Sequence, residues 1–342
     1  TTRIETVEMH TGGEPVRLVV SGYPEIAGKT LLDKRRFAKE RLDRFRRLIM
    51  FEPRGHFDMY GVLPVKPDHP QADMAVLFIH NEGYSTMCGH ATIALGRYAV
   101  DAGIVKPQNN VARLNLQCPC GLVEVKIAVA DGKPGDVHFT SVPAFAFALD
   151  RVVEIEGLGS VKVDIGYGGA FYAFLPAEVF GLDVRRSTTR SLVDAADRVT
   201  KAVQRQVKLD HPDSEDLAFL YGTILTDGRS GLADAGAGAN TSANTSANIC
   251  VFAEREVDRS PTGSGVTARV ALAVARDAAA AQGEFLFESI TGSLFSGRVA
   301  VRDVCGRFPA VRVEVGGRAY YTGRSVFTVE PDDPLAAGFL LK

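Results

Sequence analysis

Cysteine is scarce in this sequence, five among 342 residues. So small and odd a number argues against a disulfide scaffold and for reduced thiols in a reducing compartment. No charge of one sign dominates either, since 39 basic against 41 acidic side chains leave a formal net charge of −2. That balance removes the electrostatic reason to expect nucleic acid or an acidic membrane as a partner, and a small polar ligand fits better. Long apolar runs are missing as well. The N-terminal stretch Thr1 to His10 alternates like a strand, without an apolar signal core behind a basic start, and no later segment approaches the length of a membrane span. The expectation is a cytoplasmic protein. Phosphate loops are also wanting, because Gly12-Gly13 and Gly166-Tyr167-Gly168-Gly169 lack the required spacing.

What is there is a soluble globular chain, 46% hydrophobic and 23% charged, long enough for two domains of ordinary size. Leu31 to Met50 carries Ala38, Leu42, Phe45 and Ile49 at helical spacing, which predicts one amphipathic helix. Its basic residues, among them Lys34, Arg35, Arg44 and Arg47, are interrupted by Asp33, Glu40 and Asp43 and are expected to form a solvated face. Further helices are expected after Gly89, over Leu192 to Gln206, and after Gly265. Strand-like runs cover Val16 to Val20, Met59 to Val65, Met74 to His80, Val111 to Cys118, Leu122 to Val129 and Val161 to Ile165. The order is mixed α+β rather than regular βαβ alternation. Cys118-Pro119-Cys120 lacks a second Cys/His pair at zinc spacing and reads as ordinary thiols between two strands. The small-residue repeat from Ala235 to Ser246, within a low-complexity stretch over 235–248, reads as a surface loop.

Two segments half a chain apart match. Met87-Cys88-Gly89-His90 corresponds to Pro261-Thr262-Gly263-Ser264, and each precedes an almost wholly apolar, helix-compatible run, Ala91 to Val100 and Val266 to Ala275. Such helices should be enclosed by their own domains. Each would begin at its glycine turn, where unpaired N–H groups and the positive end of the helix dipole suit a carboxylate. The same field favours the thiolate of Cys88 and makes it a usable base at neutral pH. His90 would assist it through charge or orient a substrate group through its ring or backbone N–H. Asp258 lies just upstream of the second turn. A packed, inert Cys88 is the competing reading.

These residues resemble the two active-site signatures of the proline racemase family, Met87-Cys88-Gly89-His90 and Asp258-Arg259-Ser260-Pro261-Thr262-Gly263-Ser264-Gly265. Met9 to Pro15, Phe51 to His56, Asp58 to Gly61, Asn81 to Tyr84 and Tyr167 to Tyr172 extend the likeness over nearly the whole chain. The resemblance implies a fold similar to diaminopimelate epimerase: two pseudo-symmetric α+β domains, each a mostly antiparallel sheet wrapped round a central helix, with the substrate between them. The halves would be residues 1–145 and 146–342, the C-terminal tail being free to cross back. By the same resemblance Cys88 is the catalytic α-proton base, Gly89, His90, Gly263 and Ser264 bind the substrate carboxylate, and Asp258 holds the ring nitrogen. No metal, pyridoxal phosphate or nicotinamide is implied.

Thr262 departs from the pattern. Racemases and epimerases of the family carry a second Cys there, because inverting a stereocentre takes one proton-transfer group on each face, and a Thr hydroxyl is far too weak an acid for this. The exchange resembles the branch of trans-3-hydroxy-L-proline dehydratases, of the animal type, to which Asp213 to Gly222 also conforms. In that substrate the 3-hydroxyl and the α-hydrogen share a ring face, so one thiol suffices for a syn elimination to an enamine and then Δ1-pyrroline-2-carboxylate. The expected partners are this small molecule and, in a homodimer, a second copy. The rivals are a proline or hydroxyproline racemase or epimerase and a non-catalytic amino-acid binder. Cysteine hydrolysis is weaker, since a His two residues from the Cys should point poorly for a dyad.

Overall fold

The computed structural model describes residues 2–233 and 245–341. The chain divides into two compact units, one formed by Thr1–Val137 with Arg318–Lys342 and the other by His138–Gly317. Among the described residues no helix is long and apolar enough to cross a membrane.

In the first unit the strand Thr2–Thr11 lies antiparallel between Glu14–Ser21 and Ala319–Val329. The sheet continues through Gly61–Val65, parallel to Glu14–Ser21, then antiparallel Met74–Ile79. Val111–Cys118 runs parallel to Met74–Ile79, and Gly121–Ala130 returns antiparallel. The predicted helix over Leu31 to Met50 is two helices, α1 (Leu31–Arg41) and α2 (Asp43–Met50), broken at Leu42, whose φ of −121° and ψ of 7° leave the helical basin. The break starts α2 at Asp43, which binds the Arg46 guanidinium through both carboxylate oxygens while Arg46 donates to the carbonyls of His80 and Asn81. The basic face is therefore not wholly solvated. Arg46 is buried, and so is Lys34, whose Nζ donates to the Lys66 carbonyl at 2.9 Å. Long basic stems lie along apolar surface when backbone carbonyls take their charged ends.

The third helix, α3 (Gly89–Asp101), packs on Thr2–Thr11, Glu14–Ser21, Val111–Cys118, Gly121–Ala130 and Ala319–Val329. Its residues from Gly89 through Gly96 are all buried, as an all-round apolar helix requires.

The second unit is built on a closed ring of strands. Ala144–Ile155, Gly159–Tyr167 and Phe171–Pro176 run antiparallel in turn, and Leu220–Thr226 joins parallel to the third. Thr245–Phe252 follows antiparallel and Glu284–Glu288 parallel, and Leu294–Cys305 and Phe308–Gly317 complete the order. Phe308–Gly317 pairs back onto Ala144–Ile155, so the sheet has no open edge at that seam. After α4 (Thr189–Gln206), the buried helix α5 (Gly263–Arg276) packs on five of these strands. Thr245 and Ser246 are part of a fully buried strand rather than of the expected loop. The Ser246 hydroxyl donates to Asp227 at 2.9 Å, a partner that the local sequence does not reveal. The remainder of that repeat, residues 235–244, lies outside the described residues.

Candidate active site

Cys88 is the cap residue of α3, extended at φ −145° and ψ 111°. A side chain in that position folds back over the first turn, so its Sγ accepts the Ala91 N–H at 3.3 Å. The Thr92 hydroxyl donates to the Cys88 carbonyl at 2.7 Å and fixes the turn from the other side. A backbone donor and the dipole of a thirteen-residue helix therefore both favour negative charge on this sulfur.

The same fold-back brings Cys88 Sγ to 3.1 Å from His90 Nδ1. The expectation that a histidine two residues away points poorly is thus corrected, because the cap residue is extended while His90 is already helical, which turns both side chains to one side. Two residues of the same unit hold His90. The Thr11 hydroxyl donates to its carbonyl at 2.8 Å, and the Tyr60 ring meets the imidazole edge to face at 4.8 Å between centroids. Neither contact was legible from the sequence, although Thr11 and Tyr60 each belong to a resembling segment.

Cys118 and Cys120 have a different environment. Burial pushes the Cys118 thiol well up and that of Cys120 up to about 12. Desolvated thiols of this kind stay protonated and are poor nucleophiles. All five cysteines are free thiols.

The second turn is built otherwise. Asp258 ends the strand Glu256–Asp258 and is buried. Its Oδ1 accepts the Ser260 N–H at 2.7 Å and its Oδ2 the Thr262 hydroxyl at 2.8 Å. Thr262, the cap residue of α5, has φ 68° and ψ 91°. A β-branched residue in this region is strained, by roughly 1–3 kcal/mol. Having turned its hydroxyl to Asp258, Thr262 makes no side-chain bond to the amides of the α5 first turn. Asn248 Nδ2 donates to the Pro261 carbonyl at 3.4 Å, and the Thr267 hydroxyl to that of Gly263 at 2.9 Å.

Ser264 bonds Tyr172 Oη at 2.7 Å. The phenol distinguishes Tyr172 from the neighbouring Phe171 and Phe174. Gly168 lets the following turn lie against α5, since a Cβ there would sit 2.1 Å from the Ser264 carbonyl oxygen. Cys88, Gly89 and His90 are thus together at one buried helix start, and Asp258, Thr262, Gly263 and Ser264 at another.

One group of possible metal ligands lies elsewhere among the described residues: His211, Asp213 and Cys305, with ligand atoms within 4.8 Å of one another. His211 Nδ1 already accepts the Asp213 N–H at 3.2 Å, and three ligands are one short of a closed tetrahedral site.

With this geometry in place, known proteins give it a lineage. The chain is 55% identical to the trans-L-3-hydroxyproline dehydratase of Xenopus tropicalis over 341 residues, 99% of this chain and 95% of that one. It is 55% identical over 344 residues to the trans-3-hydroxy-L-proline dehydratase of Homo sapiens, with the same coverage of 99% and 95%. A hydroxyproline epimerase from Agrobacterium vitis, solved with bound trans-4-hydroxy-L-proline, superposes with a TM-score of 0.91 at 24% identity, covering 100% of this chain and 95% of the other. That likeness establishes the fold. The proline racemase family model matches residues 6–340, nearly the whole length and both helix-starting turns, and the chain belongs to the proline racemase family.

Proposed function

We propose that the protein dehydrates trans-3-hydroxy-L-proline to Δ1-pyrroline-2-carboxylate and water, with Cys88 as the base. The relatives at 55% identity bear that activity in their names. The geometry that carries the reading is the contrast between the two caps. Cys88 offers a sulfur 3.1 Å from an imidazole, while Thr262 turns its hydroxyl proton onto Asp258. One group of the pair is equipped to move a proton to and from carbon and the other is not, which supports elimination from one ring face over inversion.

In this reading the halves are pseudo-symmetric. The first-turn amides of Gly89, His90, Gly263 and Ser264 take the carboxylate and the charge that grows on it as the α-carbon loses its proton. Asp258 receives the ring nitrogen. The Cys88 thiolate removes the α-hydrogen, the C–H electron pair becomes the C2–C3 double bond, and the 3-hydroxyl leaves as water. The proton taken from carbon reaches the leaving oxygen through the Cys88 and His90 pair. The enamine then tautomerises to the Δ1 imine. The free thiols support a reducing, cytoplasmic setting, and light scattering decides whether the expected homodimer forms.

The test is direct. Wild-type protein incubated with trans-3-hydroxy-L-proline, without added cofactor, gives an imine trapped by o-aminobenzaldehyde, and Cys88→Ser lowers the rate by about 100- to 10,000-fold. Polarimetry on L-proline and trans-4-hydroxy-L-proline addresses the rival. Inversion of either at a rate comparable to dehydration overturns the proposal.

A further inference from the structure

Thr262 occupies a cap position and yet does not cap. Its hydroxyl donates to Asp258 Oδ2 at 2.8 Å, while the Ser260 amide donates to Oδ1 at 2.7 Å. The Ser260 hydroxyl in turn accepts the Thr262 N–H at 3.1 Å, so residues 258, 260 and 262 close a small network in which both oxygens of the buried carboxylate are held. Two donors on two different oxygens fix the plane of a carboxylate and leave its remaining lone pairs in defined directions.

The rest of the Thr262 side chain faces α5. An added Cβ on Gly265 would lie 2.4 Å from Ile224 Cδ1 and 3.0 Å from Thr262 Cγ2, so the threonine methyl packs, with Ile224, where a side chain at 265 would be. Methyl toward Gly265 and hydroxyl toward Asp258 is one rotamer held from two sides. The backbone accepts a β-branched residue at φ 68° to place it.

We propose that Thr262 is a positioning residue for substrate binding. It orients the Asp258 carboxylate toward the ring nitrogen, and it acts through Asp258 rather than on the reacting carbon. This rests on the proposed role of Asp258 and deepens it, giving the residue that replaces the second thiol a task of its own.

Binding of trans-3-hydroxy-L-proline to Cys88→Ser protein, followed by titration calorimetry, separates this task from turnover. Thr262→Val keeps the shape and the backbone strain but removes the donor, and it should raise Kd about tenfold. In otherwise wild-type protein it should raise KM by a similar factor with kcat changed less. Thr262→Ser restores the donor and should return Kd to within about threefold of the parent. With Asp258→Asn already present, Thr262→Val should add less than about twofold, because its route runs through that carboxylate. An unchanged Kd in Thr262→Val, failure of Thr262→Ser to recover binding, or a full additional loss on top of Asp258→Asn overturns the inference. A wild-type protein that binds the ligand but forms no imine overturns the dehydratase reading alone, and no binding at all overturns both.

Discussion

Gly168→Ala tests whether the placement of the α5 start matters to chemistry. The new methyl carbon would lie 2.1 Å from the Ser264 carbonyl oxygen and 2.7 Å from the Ala268 amide nitrogen. A carbon and a carbonyl oxygen come no closer than roughly 3.3 Å, so the strand end and the helix must part by about 1 Å. Both obstacles are backbone, so no side chain can swing aside to relieve them. Overpacking of this kind destabilises by about 1–3 kcal/mol, and a shift of about 1 Å in a substrate-holding group costs on the order of a hundredfold in rate. Gly166→Ala, in the strand Gly159–Tyr167 just before it, is the control, because its methyl would lie nearest side-chain carbons of Leu272 at 3.1 Å and of Ala268 at 3.3 Å. The assay is kcat/KM for imine formation, measured where circular dichroism shows both variants folded, beside urea unfolding of each. A folded Gly168→Ala protein with the kcat/KM of Gly166→Ala would refute the reasoning, since the amides at the α5 start could then move without effect.

Tyr172→Phe removes the phenol bonded to Ser264 at 2.7 Å in a buried setting and should cost about 1–3 kcal/mol in urea unfolding, with Ser264→Ala in the same background adding less than it does alone. pH acts on the first unit through His80. Burial, reinforced by Arg46 and Arg35, holds its pKa well below the ordinary 6.5. Because the unfolded chain then takes up a proton that the folded one refuses, stability should fall as pH drops below about 6.5, and His80→Gln should flatten that part of the unfolding free energy against pH. A slope unchanged by the substitution would remove His80 from the account.

The features legible in the sequence were those written in local periodicity or in a turn. The apolar runs after Gly89 and Gly265 announced enclosed helices, and α3 and α5 start slightly earlier, at Gly89 and Gly263 in the two glycine turns. The Thr-for-Cys exchange at 262 pointed to the branch of the family whose names the relatives bear. Features that depend on distant partners were hidden. Helical spacing continues through Leu42, and nothing local reveals that Arg46, just beyond the break, reaches the carbonyls of His80 and Asn81. Ser246 looks like loop material until Asp227 and Arg269 are seen to bond its hydroxyl. The Cys88 and His90 contact was hidden for a different reason, since the extended backbone of a cap residue overrides the side-chain directions that helical spacing suggests.

The strand Ala319–Val329 pairs with Thr2–Thr11, whereas His138–Gly317 is one uninterrupted stretch. On the ribosome, at about 5–20 residues per second, the opening strand emerges tens of seconds before the segment that completes its sheet. Most strands of the middle stretch can pair with one another during that wait, the closing strand Phe308–Gly317 emerging last. A premature stop shortly after residue 317 would therefore damage the part of the molecule made first, and the thiol at 88 would lose its setting although every residue around it had been translated.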